Sequence, residues 1–353
     1  MKNKQKRKGM WFAAILVLLL TMTACSGGSA EVSNGGQGGS HSFISSHHLP
    51  GSHPFQTEVL EVLFADLEEQ TDGRISSDIY PAASLGAPGS QYDMAVTGEV
   101  DIAVSVHGHT PGRFPLVSVI ELPFFATSAE NGSEILYTLY DEFPEFQDEH
   151  GDTYPLTIFT AEPAQIFTAK DPIESPEDLR GKRVRSPSPL ANQMLEELGA
   201  SPVSIPMGDV FDALQKGVID AAIAPYEVLH SFNLSEVVNY VTVVDLSATP
   251  FYFTMNQGTY DSLSNEDKEL LNRFSGLELA KKSGQAFDVS GEVGVQKAQE
   301  EGIEFIELSD EAKGAWLSAL APITQAWIDD MEAAGYPAQQ IYDRAAEIKN
   351  ELN

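Results

Sequence analysis

The sequence has one cysteine in 353 residues, Cys25, so an intramolecular disulfide and a cysteine-rich metal site are both excluded. Cations are also scarce: 21 Lys and Arg residues stand against 52 Asp and Glu residues, for a formal charge of -31. We expect no nucleic acid partner, because such affinity depends on neutralising phosphates with Lys and Arg. An anionic membrane surface is not an expected docking partner either.

Motifs of common enzymes are missing as well. The chain has no G-x-S-x-G nucleophile turn, no phosphate-binding P-loop and no H-E-x-x-H zinc helix. We therefore expect no enzyme and no cofactor. An exported hydrolase stays open as an alternative, because Asp and Glu residues abound and a catalytic pair of them would leave no motif.

The N-terminus has the composition of an export signal. Five cations without an acid precede the mostly apolar segment Met10–Leu20, and TMTAC follows, ending at Cys25. This order is typical of a signal peptide, and the apolar segment is shorter than the roughly 20 residues of a membrane span. MTAC resembles the lipobox of bacterial lipoproteins. We predict a lipoprotein signal peptide over 1–24, lipidation of Cys25 at the outer face of the cell membrane, and a flexible Gly/Ser-rich tether over 25–42.

Helical and strand patterns alternate through the rest of the chain. Apolar residues of Pro54–Gln70 follow one helical face, whereas Ile102, Val104 and Val106 alternate as in a strand. The second half repeats this style, with KRVRS as a strand and SPLANQMLEELG as a helix that begins after Ser188. The alternation predicts a two-lobed α/β protein with mostly parallel sheets, and long amphipathic helices are expected near the C-terminus.

Four cations occur together in LRGKRVRSPSP, namely Arg180, Lys182, Arg183 and Arg185. Alternation in a strand places Arg183 and Arg185 on one face. Arg185 is the last strand residue, and ligands of open α/β sheets bind beyond the carboxyl ends of strands. The helix start at Ser188 adds free amide groups that favour an anion. The spacing alone leaves two interpretations open: Arg185 binds a carboxylate, or all four are solvated surface charges.

Histidines and aromatic residues supply further candidates. Six of the eight histidines lie at positions 41, 47, 48, 53, 107 and 109. Imidazole suits zinc, so a zinc- or manganese-binding lipoprotein of an ABC importer stays open as an alternative. His107 follows a predicted strand end, where a loop would face a ligand, and His48 is a second such candidate. In TPFYFTMN, Phe251 and Asn256 are ligand candidates, with a buried core strand as the alternative.

Several motifs, in this order, resemble one family: TDGRI, IYPAASLG, GEVDIAV, PGRFPLVSVIELPF, LRGKRVRSP, LEELGASPVSIP and DVFDALQKGVIDAA. They are similar to the extracytoplasmic solute-binding subunit of TRAP transporters, the C4-dicarboxylate-binding (DctP-like) type, over about residues 41–350. The resemblance implies a periplasmic-binding-protein-like fold with a ligand cleft between two lobes. The expected lobes are 43–161 plus 250–288 (lobe I) and 162–249 plus 289–353 (lobe II).

The resemblance also implies a function and roles for residues. The protein would capture an organic acid and, as a monomer, deliver it to TRAP membrane subunits that run on an ion gradient. A solute sensor is an alternative use of the same fold. Arg185 matches the arginine that holds the carboxylate, Met207 a hydrophobic residue against the ligand, and Asn256 an asparagine that ends a strand.

Two departures from the family pattern bear on specificity. A second arginine that many members carry is Ala164 here, and Ala222–Pro225 stands in place of Gln-Glu-Asn-Pro. Tyr226 and Glu227 follow that segment, and Tyr226 joins the ligand candidates. Because the replacements are less polar, we predict that the solute is a monocarboxylate with an apolar or aromatic body.

Overall fold

The computed structural model describes residues 39–352. The predicted signal peptide (1–24), Cys25 and most of the predicted tether lie outside these residues. The first strand begins at His41, so the last two residues of the predicted tether, 41 and 42, belong to a sheet instead. Among the described residues, no helix combines the length and the apolar character needed to cross a membrane.

Strands and helices alternate through the described chain. The strands are β1 (His41–His47), β2 (Ile75–Tyr80), β3 (Ile102–Val106), β4 (Thr153–Thr160), β5 (Gln165–Thr168), β6 (Arg183–Ser186), β7 (Ser201–Ser204), β8 (Ala221–Ala224), β9 (Tyr240–Val243), β10 (Pro250–Asn256) and β11 (Glu304–Glu307). The helices are α1 (Glu61–Gln70, extended at its start by a π-helical turn Phe55–Leu60), α2 (Gln91–Thr97), α3 (Ala129–Glu142), α4 (Pro144–Glu149), α5 (Pro189–Glu197), α6 (Val210–Gln215), α7 (Val228–Ser231), α8 (Gln257–Ser262), α9 (Asn265–Arg273), α10 (Leu277–Glu300), α11 (Asp310–Ala333) and α12 (Ala338–Leu352). Short 3-10 turns cover His107–His109, Leu116–Glu121, Pro176–Leu179 and Met207–Asp209, among others.

Two mixed sheets define the two lobes. Lobe I contains the sheet β2-β1-β3-β10-β4, and lobe II contains the sheet β11-β9-β5-β8-β6-β7. In each sheet one strand is antiparallel to both of its neighbours: β10 in lobe I and β5 in lobe II. Each of these strands directly follows the passage of the chain from the other lobe. The chain enters each new sheet at the edge where the parallel strands end, so the entering strand must run in the opposite direction. The predicted fold of mixed, mostly parallel sheets flanked by helices is confirmed.

Two chain segments pass side by side between the lobes. The Ala161 amide donates to the Thr249 carbonyl (2.9 Å), and the Ala164 amide donates to the Ser247 carbonyl (2.8 Å). The Leu246 amide returns a bond to the Ala164 carbonyl (2.8 Å). These hydrogen bonds hold the two segments that pass between the sheets together, and the two segments, 161–164 and 245–249, are called the hinge.

The long helix α10 packs on both lobes. A Cβ added at Gly284 would lie 2.6 Å from the Ala129 carbonyl oxygen in lobe I, and one at Gly294 would lie 2.4 Å from the Tyr226 carbonyl oxygen in lobe II. Only glycine permits such close approach of a helix to backbone. A boundary between lobes at residue 288 therefore passes through the middle of a continuous helix.

The C-terminal helix α12 packs against lobe I rather than lobe II. Arg344 forms two hydrogen bonds with the Glu142 carboxylate at the end of α3, of 2.7 and 2.8 Å, and α12 also contacts the turn Leu116–Glu121. This corrects the expectation that 289–353 belongs wholly to lobe II. The chain returns to lobe I within α11, which packs on α5 of lobe II and whose Trp327 donates to the Ser118 hydroxyl of lobe I (2.7 Å). Amphipathic periodicity alone carries no information on which lobe a helix covers.

Predicted helix starts are found where the capping residues occur. The Ser188 side chain accepts the Ala191 amide at the start of α5, and Ser175 and Asp178 form a capping box. The latter begins a 3-10 turn, Pro176–Leu179, rather than a longer helix. Local capping chemistry thus fixed where these elements begin.

Candidate functional site

The carboxyl ends of parallel strands from both sheets meet at the passage between the lobes. β1 leads to His48, β3 to the turn His107–His109, and β6 ends beyond Arg185. The reversed strand β10 begins at the same edge, which places Phe251 there. Topology therefore brings together residues that are far apart along the chain, at the edge where open α/β sheets bind ligands.

A small cavity lies at this edge between the lobes. Its free volume is about 30 Å³, which is room for one or two water molecules. Its lining is mostly apolar and aromatic and consists of His48, Leu49, Val106, His109, Ala161, Arg185, Pro187, Met207, Pro225, Glu227, Val228, Phe232, Thr249 and Phe251. Four of the predicted ligand residues, Arg185, Met207, His48 and Phe251, are thus found in one place.

Arg185 is a buried cation in this cavity, with 4% of its surface exposed. Its Nε donates to the Ile205 carbonyl (3.1 Å) and its Nη1 to the Ile223 carbonyl (2.9 Å). Within residues 39–352, Nη2 has no hydrogen-bond partner and no carboxylate lies within 4.0 Å of the guanidinium. Burial lowers the pKa of Arg185 to about 10, with Glu227 acting in the opposite direction. The group remains a cation at neutral pH.

Arg183 has the opposite environment, although it lies only two residues earlier on β6. It is exposed, and it forms a bidentate pair with Asp220, with Nε to Oδ2 at 3.0 Å and Nη2 to Oδ1 at 2.8 Å. This pair lowers the pKa of Asp220 to about 2. Arg183 therefore already has a carboxylate partner, whereas Arg185 is positioned to accept one from outside the chain.

Lobe I supplies neutral rings to the cavity. The His48 ring stacks on Phe251 (centroids 5.8 Å apart, planes at 9°) and meets His109 edge-on (5.5 Å, 78°). The Ser105 hydroxyl lies 3.3 Å from His48 Nδ1 and 3.2 Å from His109 Nδ1. Burial lowers the pKa of His48 well below its usual value, and burial with the nearby charge of Arg185 lowers that of His109 to about 4. Both rings are uncharged at neutral pH.

Glu227 is a charged residue of the lining that did not stand out in the sequence. It is 3% exposed, and its Oε2 lies 3.3 Å from Nε2 of His53 and accepts a hydrogen bond from the Ser231 hydroxyl. Its backbone amide donates to Oε1 of Glu162 (2.8 Å), a residue of the hinge. Its position just beyond the end of β8, at the same sheet edge as Arg185, is the feature of the sequence that could have pointed to it.

Asn256 does not lie at the cavity. It ends β10 at the far edge of the sheet, opposite Thr153, whereas Phe251 at the other end faces the cleft. Its side chain caps α8 by accepting the Thr259 amide (2.9 Å) and donates to the Ala95 carbonyl (2.7 Å). This corrects the expectation that Asn256 meets a ligand: its polarity serves a helix cap, because a strand of seven residues carries its two ends to opposite edges.

His107 and Tyr226 also lie outside the cavity. The His107 ring is buried against Phe114, with its Nε2 2.9 Å from Nε2 of His150, so it belongs to the core beside the cleft. Tyr226 faces the opposite side of the hinge, where its ring lies 6.3 Å from that of Phe305. In both cases the neighbouring residue, His109 or Glu227, lines the cavity instead.

The N-terminus of α5 is occupied by a side chain of lobe I. The Ser188 hydroxyl, which caps α5, donates to the Glu121 carboxylate. Burial raises the pKa of Glu121 to about 7, and the bond from Ser188 opposes this. The helix start that was expected to favour a bound anion thus holds an acid of the protein itself, and the contact joins the two lobes.

The histidines do not assemble a metal site. Across residues 39–352, no group of three or more His, Cys, Asp or Glu side chains is arranged to hold a metal ion. His47, His48 and His109 are instead buried with lowered pKa values, for which burial is the main cause.

Two α/β lobes, a double passage of the chain between them and an apolar cavity with one unpaired cation define an extracytoplasmic solute-binding protein of a transporter. The chain belongs to the bacterial extracellular solute-binding proteins of family 7 (DctP), whose model matches residues 45–330. It is a TRAP-type solute-binding protein and not an enzyme.

Solved structures of other TRAP solute-binding proteins are similar over nearly the whole described chain. One from a marine metagenome, specific for aromatic acid ligands and in complex with 3-hydroxybenzoate, is 32% identical with a TM-score of 0.85, covering 89% of this chain and 99% of that one. One from Rhodoferax ferrireducens, in complex with copurified benzoate, is 28% identical with a TM-score of 0.85, covering 88% and 98%. The outer membrane transporter protein TsaT of Comamonas testosteroni is 28% identical over 301 residues, 84% of this chain and 88% of that protein.

Proposed function

We propose that this protein captures a small aromatic monocarboxylate in the cavity between its lobes and delivers it to TRAP permease subunits in the membrane. Arg185 holds the carboxylate, while His48, Phe251 and Met207 contact the apolar body of the solute. Similar proteins solved with benzoate and 3-hydroxybenzoate support this solute class.

One observation carries the proposal: Arg185 is a buried cation without a carboxylate partner in the described chain. A buried charge is costly unless it is paired, and a guanidinium binds a carboxylate through two parallel hydrogen bonds. The remaining lining is largely apolar, which suits a hydrocarbon or aromatic body and offers no second cation for a dicarboxylate.

Capture requires the lobes to separate. The cavity of about 30 Å³ holds only one or two water molecules, so an aromatic acid enters only if the hinge opens. The two hydrogen-bonded segments 161–164 and 245–249 would bend, and the solute would then favour closure because it contacts both lobes.

Calorimetric titration of the mature protein with benzoate, 3-hydroxybenzoate, succinate and zinc chloride tests the proposal. We expect micromolar or tighter binding of the two aromatic acids, and binding of succinate at least about tenfold weaker, a difference of about 1.4 kcal/mol. Preferential binding of succinate or of zinc would contradict it, and zinc would favour the metal-importer alternative.

We further propose that the protein is a monomer anchored outside the cell membrane by a lipid on Cys25. The lipobox-like MTAC motif supports the anchor. Cys25→Ser should move the protein from the membrane fraction to the soluble fraction, with loss of the lipid adduct by mass spectrometry. A membrane-bound Cys25→Ser protein would contradict the anchor. Light scattering of the soluble form checks the monomer.

A further inference from the structure

We propose that Glu227 determines which aromatic acids this site accepts: it excludes solutes with a second negative charge and favours those with a hydroxyl group on the ring. The inference rests on the proposed function, since it concerns the same cavity. It adds an acidic contact for the ligand, Glu227, to the cationic contact supplied by Arg185.

Glu227 belongs to the cavity by position and by burial. It lines the same space as Arg185 and Phe251, and only 3% of its surface is exposed. Arg185 and Glu227 are near enough for their charges to interact, yet they form no ion pair within 4.0 Å. The cavity lining therefore contains a cation and an acid that do not form an ion pair with each other, and opening of the lobes would expose both to a ligand.

The two carboxyl oxygens of Glu227 differ in their contacts. Its Oε2 accepts the Ser231 hydroxyl and faces the His53 ring at 3.3 Å, and the charge of Arg185 lies nearby. Its Oε1 accepts no hydrogen bond from residues 39–352, so one acceptor is free for a ligand.

The consequence for specificity follows from the low polarity of the cavity. A second ligand carboxylate would meet Glu227 without a cation of its own, and like charges in a desolvated site are strongly unfavourable. A ring hydroxyl could instead donate to the free oxygen of Glu227 in a charge-assisted bond. A site that hydrogen-bonds a hydroxyl discriminates against the analogue that lacks it.

The test compares three ligands that differ at one ring position: benzoate, 3-hydroxybenzoate and isophthalate. For the wild-type protein we expect 3-hydroxybenzoate to bind about tenfold tighter than benzoate, and isophthalate about 100-fold weaker. Glu227→Gln keeps the shape of the side chain and removes the acid. In this variant the preference for 3-hydroxybenzoate over benzoate should shrink to about threefold or less, and the discrimination against isophthalate to about tenfold or less. Glu292→Gln, an exposed acid of α10 outside the cavity, is the control for net charge and should keep the wild-type ratios.

Two outcomes would overturn the inference. If Glu227→Gln tightens or weakens all three ligands by one common factor, Glu227 is only an internal counter-ion of Arg185. If the wild-type protein binds isophthalate as tightly as benzoate, the site does not exclude a second carboxylate. This wild-type measurement tests the inference even if the variant does not fold. Failure of the wild-type protein to bind benzoate or 3-hydroxybenzoate would instead contradict the proposed function itself.

Discussion

The two faces of the cavity differ in kind. The lobe I face (His48, His109 and Phe251) consists of rings that are uncharged at neutral pH, whereas the lobe II face (Arg185, Met207 and Glu227) carries both charges. Phe251 is further stacked on Phe159 within the core of lobe I (centroids 5.1 Å apart).

This difference assigns separate tasks to the lobes. The charged face can hold a carboxylate while the lobes are apart, since Arg185 is oriented by two carbonyls of lobe II alone. Under the proposed function, the aromatic face would then cover the body of the solute on closure. Lobe II would thus bind the carboxylate of the solute first, and lobe I would then contact the body of the solute.

The largest expected effect comes from removing the cation of the lobe II face. Arg185→Met should weaken binding of benzoate by about 100-fold or more, because two charge-assisted bonds of about 1.5–3 kcal/mol each are lost. Arg183→Met, on the same strand but paired with exposed Asp220, should leave affinity within about twofold. Calorimetry measures both. A loss below tenfold in Arg185→Met would mean that the carboxylate is held elsewhere.

The free energy of unfolding of Arg185→Met should stay close to the wild-type value. The substitution removes a buried cation without a carboxylate partner in the described chain, which offsets the loss of its hydrogen bonds to the Ile205 and Ile223 carbonyls. Denaturant titration without ligand separates this result from a general loss of structure.

The next effect concerns a contact outside the cavity that joins the two lobes, between Glu121 of lobe I and Ser188 of lobe II. Burial raises the pKa of Glu121 to about 7, above the value of about 4.3 in an unfolded chain. Between these values the folded protein keeps a proton that the unfolded chain has lost, so the contribution of Glu121 to stability falls as pH rises through that window.

Glu121→Gln removes this dependence. The wild-type protein loses this stability as the pH rises and the variant does not. The difference in free energy of unfolding, variant minus wild type, should therefore increase by on the order of 2–3 kcal/mol from pH 4 to pH 8. Ser188→Ala should make the pH dependence of stability steeper, since the hydrogen bond from Ser188 lowers the pKa of Glu121. Loss of the helix cap should also lower the free energy of unfolding by about 1 kcal/mol at all pH values. Denaturant unfolding across pH measures this. Parallel pH profiles for Glu121→Gln and the wild-type protein would contradict it.

The smallest effect is expected on the lobe I face. Phe251→Leu should weaken binding of benzoate by about two- to tenfold, because stacking with an aromatic ligand contributes about 0.5–1.5 kcal/mol beyond buried area. An aliphatic acid such as hexanoate should lose less. Phe253→Leu, two residues along β10 and buried outside the cavity, is the matched control and should reduce stability without changing affinity. Equal losses for benzoate and hexanoate would show that this face does not recognise the ring.

Residues were predicted well where local chemistry determines their place. Arg185 ends a short strand before a capped helix, so strand alternation and the rule for α/β strand ends made it a candidate, with a solvated surface charge as the alternative. The family resemblance then favoured a carboxylate-binding role. Phe251 and Asn256 were both ligand candidates from one aromatic-rich segment, and the sequence did not separate them. Only the direction of β10 between β3 and β4 shows that one end reaches the cleft and the other caps α8.

Other residues could not have been found because their role depends on distant contacts. Glu227 is one of 52 acidic residues, and nothing local distinguishes it until the end of β8 is brought beside Arg185. The packing of α12 on lobe I is similar, since its contacts with Glu142 lie 202 positions away along the chain.

The sequence by itself determined the class of fold, the starts of the helices, the family and the candidate cation at the end of β6, because these follow from periodicity, capping and motif order. Tertiary structure decided which charges are satisfied. Arg183 finds Asp220 across 37 positions, Glu121 finds Ser188 across 67, and Arg185 finds only two carbonyls in the described chain. The physical reason is that desolvation and pairing are set by neighbours in space. The same residue type on one strand therefore forms a surface ion pair at one position and is a buried cation without a carboxylate partner in the described chain at the other.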